Sequence, residues 1–139
     1  MLPTSLVERI QNELDQGDGF LDTDRFTKAI DRYQSALALI PNPKHIHAIS
    51  LPAFTALGEA FYFSGYYQKA LRAFQQAQKA PGGVENPLLH LRMGEAYFEK
   101  GDFDRAADSL TRAYALGGRD VFDGEDAKYL AFLATRIEL

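Results

Sequence analysis

Two histidines, His45 and His47, have a type and spacing that could bind a metal ion. Residues two apart point to different sides of a helix, and no acidic residue or third histidine lies close to them in the sequence. A zinc site needs several converging ligands, so the pair is predicted to have a structural or surface role. The isolated His90 has no catalytic partner in the sequence and is predicted to pack within a helix. No metal site is expected.

Two acidic stretches, residues 15–24 and 120–126, resemble calcium-binding loops because each surrounds a glycine. Placing Gly19 at the sixth position of such a loop puts Leu14 at the first ligand position. It also puts Arg25 at the last position, where a bidentate glutamate is required. In the second stretch, Gly124 at the sixth position puts Arg119 at the first ligand position and Leu130 at the last. These carboxylates are therefore predicted to form turns and helix caps.

Motifs that indicate catalysis are missing. The sequence has no Gly-x-Ser-x-Gly, no Gly-Lys-Ser/Thr phosphate loop and no His-Glu-x-x-His. It has no cysteine, which excludes disulfides and thiolate chemistry. Pairs of acids without a pocket are weak grounds for acid–base catalysis. We therefore predict that the chain is not an enzyme and binds no cofactor.

A repeated pattern of small and large apolar residues occurs three times in the sequence. Twelve residues before the first alanine of each unit stands a glycine, namely Gly17, Gly58 and Gly94. Glycine and alanine let helix backbones approach closely, while the large residues between them fill the remaining space. The units are Phe26-x-x-Ala29-x-x-x-Tyr33-x-x-Ala36, Tyr67-x-x-Ala70-x-x-x-Phe74-x-x-Ala77 and Phe103-x-x-Ala106-x-x-x-Leu110-x-x-Ala113.

These columns resemble the tetratricopeptide repeat family, over roughly residues 10–118, and residues 93–107 are the clearest copy. The resemblance implies an all-α, right-handed superhelical solenoid of three helix pairs plus a C-terminal capping helix. We expect one domain over residues 1–139. Its parts are predicted at about 5–41 for repeat 1, about 43–81 for repeat 2, about 86–118 for repeat 3 and about 125–138 for the capping helix.

The spacing of the repeats is uneven. Gly17 and Gly58 are 41 residues apart and Gly58 and Gly94 are 36 apart, against a usual period of about 34. The first interval is therefore about seven residues longer than the usual period, and we assign these extra residues to 44–51. We predict that the first helix of repeat 2 begins early, near residues 42–43, and kinks at Pro52. The alternative is that Ser50 caps this helix and residues 42–49 form a loop.

Helix ends and buried faces follow from local signals. Residues 5–8 have the form of a capping box, which predicts that the first helix begins there and runs to about Thr23. Pro87 after Asn86 predicts the start of the third pair. The buried stripe of the terminal helix is predicted to consist of Phe122, Tyr129, Leu130 and Leu133.

In the family that the repeats resemble, ligands usually lie in the concave groove lined by the first helix of each pair. One groove column would hold Asp18, Glu59 and Glu95. Carboxylates beside aromatic rings could bind a segment that carries Lys or Arg. The alternative is that the acids form a solvated face and the rings close gaps between repeats. The full groove set is Leu14, Asp18, Leu21, Asp22, Thr55, Glu59, Tyr62, Phe63, Leu91, Arg92, Glu95, Phe98 and Glu99.

Family members that bind chaperones hold a C-terminal carboxylate with Lys, Asn and Arg in the same columns. Here those positions carry mainly Leu14, Asp18, Ala56 and Leu88, and only Arg92 fits. Recognition of an acidic C-terminus is therefore not expected. The net charge of −4 also disfavours nucleic-acid binding, which needs clustered Lys and Arg. A partner of basic character is the better match.

The sequence thus predicts a non-catalytic module that binds a protein or peptide through the concave groove. The second hypothesis is a bacterial immunity or antitoxin-type protein, because the tail at residues 119–130 resembles a subgroup found beside polymorphic toxin genes. Self-association through exposed groove residues such as Tyr62 and Phe63 is a further alternative. No signal peptide or long apolar run is present, so a cytoplasmic protein without membrane contact is expected.

Overall fold

The computed structural model describes residues 1–139 and contains helices and turns but no strand. Its contacts divide the chain into two compact units, Met1–Val84 and Glu85–Leu139, which we call the N-terminal unit and the C-terminal unit. None of the helices has both the length and the apolar character needed to cross a membrane. The helices are α1 (Thr4–Asp22), α2 (Phe26–Leu39), α3 (Ser50–Phe63), α4 (Tyr67–Lys79), α5 (Pro87–Lys100), α6 (Phe103–Gly117) and α7 (Ala127–Ala134).

In the N-terminal unit, α1 packs on α2, α2 on α3, and α3 on α4. The repeat columns explain this packing. A methyl group on Gly17 would lie 2.6 Å from Cδ1 of Tyr33, and one on Gly58 would overlap the ring of Phe74. Glycine at these crossings therefore lets a large side chain of the second helix enter fully between the backbones, and Tyr33 and Phe74 are both completely buried.

In the C-terminal unit, α5 packs on α6 and α6 packs on α7. Gly94 again admits a large residue, because an added methyl group would lie 2.6 Å from Cδ2 of Leu110. The Asn86 side chain accepts a hydrogen bond from the Leu89 N–H at 3.0 Å, which confirms the predicted start of the third pair. One buried cluster of the unit consists of Leu91, Leu110, Ala113, Phe122, Tyr129 and Leu133.

The predicted capping box at the start of the chain is wrong. Helix α1 begins at Thr4, its N-cap is Pro3, and no side chain caps it. The Pro3 carbonyl accepts hydrogen bonds at 3.1 Å from the N–H groups of Leu6 and Val7. Ser5 already lies inside the helix, because Pro3, with φ −58° and ψ 143°, sets the boundary earlier. The predicted end of the helix near Thr23 is confirmed.

The early start of the first helix of repeat 2 is also wrong. Residues Lys44–Ile46 form a 3₁₀ turn and α3 begins only at Ser50. The alternative prediction is correct in placing residues 42–49 outside the helix. It is wrong in making Ser50 the helix cap, since the Ser50 hydroxyl donates to the Lys44 carbonyl at 2.6 Å. Pro52 lies in the first turn of α3, where the helix needs no N–H from it, so it causes no kink.

The last helix, α7, covers Ala127–Ala134, and Asp126 caps it by accepting a hydrogen bond from the Lys128 N–H at 2.9 Å. A 3₁₀ turn at Arg119–Phe122 precedes it. Phe122, Tyr129 and Leu133 are buried as predicted, whereas Leu130 is half-buried. The single domain and its three repeat boundaries remain predictions.

Candidate partner-binding site

Three acidic residues of the N-terminal unit surround one buried phenol. The Tyr33 hydroxyl donates a hydrogen bond to Oδ1 of Asp18 at 2.6 Å. Burial raises the pKa of Tyr33 well above its usual range, and the hydrogen bond and charge of Asp18 and the charges of Glu59 and Asp22 add to the effect. Tyr33 is therefore a permanently neutral donor that fixes Asp18 in place. Of the predicted acidic column, Asp18 and Glu59 both lie in this unit.

A cleft lies at the end of α1 and has a volume of about 410 Å³. Its walls include three predicted groove residues, Leu21, Asp22 and Phe63. The edge-on contact between Tyr62 and Phe63, with ring centroids 5.3 Å apart, helps to orient Phe63. Nearly half of the Phe63 surface, 48 %, is exposed. The cleft therefore combines apolar walls with carboxylates.

Two residues of this cleft, Asp24 and Phe26, were not predicted from the sequence as groove residues. A signal for Asp24 was present in the repeat register. Gly65 and Gly101 stand seven residues after Gly58 and Gly94, and the position seven residues after Gly17 holds Asp24 instead. Aspartate in place of glycine in this turn column was the signal that distinguished the position.

Other predicted groove residues of the N-terminal unit serve mainly its packing. Leu14 is 4 % exposed and belongs to the core. The Thr55 hydroxyl donates to the Leu51 carbonyl of its own helix at 2.7 Å. Tyr62 also meets Tyr67, at 5.6 Å between ring centroids. These side chains shape the unit, and Tyr62 retains partial exposure.

In the C-terminal unit, Arg92 is held between the side chains of Glu95 and Glu125. Its Nη1 donates to Oε1 of Glu95 at 2.9 Å and to Oε1 of Glu125 at 2.5 Å. Glu95 is completely buried. Burial raises the pKa of Glu95 to about 8, the neighbouring Glu125 carboxylate adds to the rise, and Arg92 opposes it. Glu95 is therefore mostly protonated at neutral pH and has no exposed surface to offer a partner.

Two more predicted groove residues of this unit, Phe98 and Glu99, are engaged by α7. Glu99 accepts hydrogen bonds from the Tyr129 hydroxyl at 2.8 Å and from Lys128 Nζ at 2.7 Å. Partial burial alone would raise the pKa of Glu99, but these two donors outweigh it and lower the pKa. The Phe98 ring lies edge-on to Tyr129 and to Phe132, at 5.4 and 5.2 Å between centroids.

The C-terminal groove positions are thus bound within the unit itself, and Leu91 is completely buried. Glu125 and Lys128 were not predicted from the sequence as partners of Arg92 and Glu99. They are about thirty residues away in sequence, a separation at which no local spacing rule applies.

No group of three or more His, Asp or Glu side chains has an arrangement that could hold a metal ion. His45 is exposed and His47 half-buried. His90 is 2 % exposed, which confirms its predicted packing in the third pair.

A family model described as Tetratricopeptide repeat matches residues 55–121. No curated protein matches the chain. Among solved structures, the chain is similar to the Arabidopsis OM64 TPR domain, with 17 % identity and a TM-score of 0.73. That alignment covers 94 % of this chain and 95 % of that one.

A second similar structure is the Yersinia enterocolitica type III secretion chaperone SycD in complex with a peptide of the translocator YopD. It has 15 % identity and a TM-score of 0.74, with 92 % of each chain covered. A third is the second TPR of Spaghetti (RPAP3) bound to an HSP90 peptide. It has 19 % identity and a TM-score of 0.67, and the alignment covers 78 % of this chain and 92 % of that one.

These matches confirm the predicted all-α tetratricopeptide fold class. The family model and the structural neighbours together support the resemblance that the glycine and alanine columns indicated. The matched residues include the second and third glycines of that register, Gly58 and Gly94. Residues 55–121 thus match the tetratricopeptide repeat model, and the fold of the chain is similar to that of solved tetratricopeptide repeat domains.

Proposed function

We propose that the chain is a non-catalytic module that binds a protein or peptide segment of basic character. The observation that supports this proposal best is the acidic and apolar surface of the N-terminal unit. Asp18, Asp22 and Glu59 lie around the Tyr33 hydroxyl, and Phe63 beside them is 48 % exposed. Carboxylates next to exposed aromatic surface suit a segment that carries Lys or Arg beside apolar residues.

Two structural neighbours support binding of a peptide segment. SycD was solved with a peptide of YopD and the Spaghetti domain with an HSP90 peptide. The HSP90 peptide, SRMEEVD, is acidic at its end. The present chain differs at the positions that would bind such a peptide. Asp18 has a negative charge like that of the peptide and would repel it, and Arg92 is held by Glu95 and Glu125. We therefore assign the opposite charge preference to this chain.

Because the C-terminal groove positions are bound within their own unit, the binding surface is proposed to lie mainly on the N-terminal unit. Glu59→Lys is the appropriate test. The analogous change at Glu95 would place a charge in a completely buried site and damage the fold instead. The acidic column therefore does not offer three equivalent positions for mutation.

The proposal is tested with a library of dodecapeptides that carry lysine or arginine beside leucine or phenylalanine. A matched library carries glutamate instead. Fluorescence anisotropy should detect binding of the basic set to the wild-type chain, and Glu59→Lys should weaken it about fivefold to tenfold. Asp31→Lys is the control, since it makes the same charge change at an exposed site on α2. Equal binding of both libraries, or equal effects of both variants, would contradict the proposal.

A narrower function is an immunity protein that neutralises a basic bacterial toxin. Its support is the net charge of −4, the acidic surface described above and the resemblance of the tail at residues 119–130. The gene neighbourhood tests it directly. A toxin gene should stand next to the coding sequence, and purified chain should inhibit that toxin. A neighbourhood without any toxin gene would remove this function and leave the binding module intact.

A further inference from the structure

The cleft at the end of α1 contains an aspartate in a backbone conformation that favours glycine. Asp24 has φ +58°, and the equivalent turn residues of the other two repeats are Gly65 at φ +86° and Gly101 at φ +83°. A residue with a side chain pays a steric cost in this left-handed region, although aspartate tolerates it better than most. Asp24 nevertheless lines the cleft together with a second aspartate, Asp22.

The C-terminal unit shows what fills the equivalent positions there. Counting from the repeat glycines, Leu21, Asp22 and Phe26 correspond to Phe98, Glu99 and Phe103. A lysine of the chain itself, Lys128, occupies that site. Its Nζ lies 2.7 Å from Oε1 of Glu99 and 5.8 Å from the centre of the Phe98 ring.

The aromatic wall of that site also has a counterpart. The Phe132 ring lies 5.2 Å from Phe98 and 5.8 Å from Phe103. In the N-terminal unit, Phe63 has the corresponding place, since it lines the cleft with Leu21 and Phe26. In the C-terminal unit, Lys128 lies four residues before Phe132. In the N-terminal unit, Glu59 lies four residues before Phe63. One turn before Phe63, α3 therefore has an acid at the position where α7 has the lysine of the C-terminal site.

Two cations close in sequence to the cleft, Lys28 and Arg32, are directed elsewhere. Lys28 Nζ lies 5.6 Å from the centre of the Phe20 ring, and Arg32 pairs with Glu13 at 3.5 Å. Asp22 and Asp24 are both exposed. Two carboxylates and an apolar wall thus face solvent in a cleft whose equivalent holds an ammonium group.

We propose that this cleft is a docking site for a lysine side chain of a partner protein. The ammonium group binds between the carboxylates of Asp22 and Asp24, and the aliphatic stem packs on Leu21, Phe26 and Phe63. Lysine is chosen over arginine because the chain's own occupant of the equivalent site is a lysine. The proposal rests on the proposed function, of which it identifies one contact.

The experiment is an NMR titration of the ¹⁵N-labelled full chain with the Nα-acetyl methylamides of lysine, norleucine and arginine. Lysine should cause saturable shifts of the backbone amides of residues 21–26 and Phe63, with a dissociation constant on the order of millimolar. Norleucine has the same stem without the charge and should cause much smaller shifts. Arginine should bind more weakly than lysine.

Asp24→Asn removes one charge and keeps a residue that tolerates the left-handed region, so the variant is expected to fold. It should raise the dissociation constant for the lysine compound about threefold, as expected for one exposed ion pair. Asp31→Asn makes the same charge change on α2 and should have no effect. Equal shifts with norleucine, tighter binding of arginine, or an unchanged constant in Asp24→Asn would each overturn the proposal.

The outcome is separable from that of the proposed function. If Glu59→Lys weakens binding of the basic peptides while the lysine compound leaves residues 21–26 unshifted, the docking site is wrong and the binding module stands. If the lysine compound binds in the cleft while acidic and basic peptides bind the chain equally, the cleft stands and the charge preference of the module is wrong.

Discussion

At the scale of single residues, the repeat glycines show how one absent methyl group determines the packing of a helix pair. Gly58 lies against the ring of Phe74, which is completely buried. Gly17 and Gly94 have the same relation to Tyr33 and Leu110. These contacts were foreseeable from the sequence because the small and large residues recur at a fixed spacing.

Gly58→Ala should destabilise the chain by about 1–3 kcal/mol, because the added methyl group overlaps a rigid, buried ring. Urea unfolding followed by circular dichroism measures the loss. Gly19→Ala is the matched control, since its methyl group would meet no atom within 4 Å. That change should stabilise the helix by about 0.5–1 kcal/mol. Similar destabilisation by both changes would refute the packing argument.

The protonation of Glu95 makes a second prediction. The native pKa of about 8 lies above the ordinary value of 4.5, so the folded chain keeps a proton that the unfolded chain releases. The contribution of Glu95 is fully favourable below about pH 4.5 and falls as pH rises towards 8. The total loss is on the order of 5 kcal/mol, at about 1.36 kcal/mol per unit of pKa difference.

Glu95→Gln imitates the protonated acid and should remove this loss. Chemical unfolding of both chains at several pH values between about 6 and 9 provides the measurement, a range chosen to cover the upper part of the transition. The free energy of unfolding of the wild-type chain should decrease relative to the variant as pH increases. Parallel curves for the two chains would show that Glu95 is ionised at neutral pH.

At the scale of elements, the turn between α1 and α2 differs from the other two turns inside helix pairs. Asp24 at φ +58° takes the place of glycine. Asp24→Gly should stabilise the chain by about 0.5–1 kcal/mol, since relief of the left-handed strain exceeds the extra entropy of glycine in the unfolded chain. Thermal unfolding gives the stability, and titration with the lysine compound gives the affinity. Increased stability with reduced affinity is expected, and a loss of stability would contradict the strain argument.

Helix positions were well predicted wherever a repeat column or a proline defined them, as at Pro87. The start of α3 was not, because an excess of about two turns in residues 44–51 fits either a longer helix or a loop. The choice depends on the Ser50 hydroxyl, which bonds to the Lys44 carbonyl and holds the 3₁₀ turn. That hydrogen bond closes a loop, and the helical spacing of apolar residues does not predict the conformation of a loop.

At the scale of the whole molecule, the chain has a net charge of −4 and two compact units. If the proposed function is correct, attraction of basic segments should weaken with salt. Raising sodium chloride from about 50 to about 300 mM should reduce the affinity for the basic peptides about fivefold, because the Debye length falls to a few ångströms. Anisotropy titrations measure this change. An affinity that is independent of salt would indicate an apolar interface.

The sequence alone determined the all-α repeat fold, the three close helix crossings and most helix ends. These features depend on residues within one helix pair, where fixed spacing translates directly into contact. Only the tertiary structure showed that the acids of one column have different environments. Asp18 is exposed and held by Tyr33, whereas Glu95 is buried with Arg92 and Glu125. The difference arises from the partners that long-range packing brings to each position, and these determine whether a carboxylate remains available for binding.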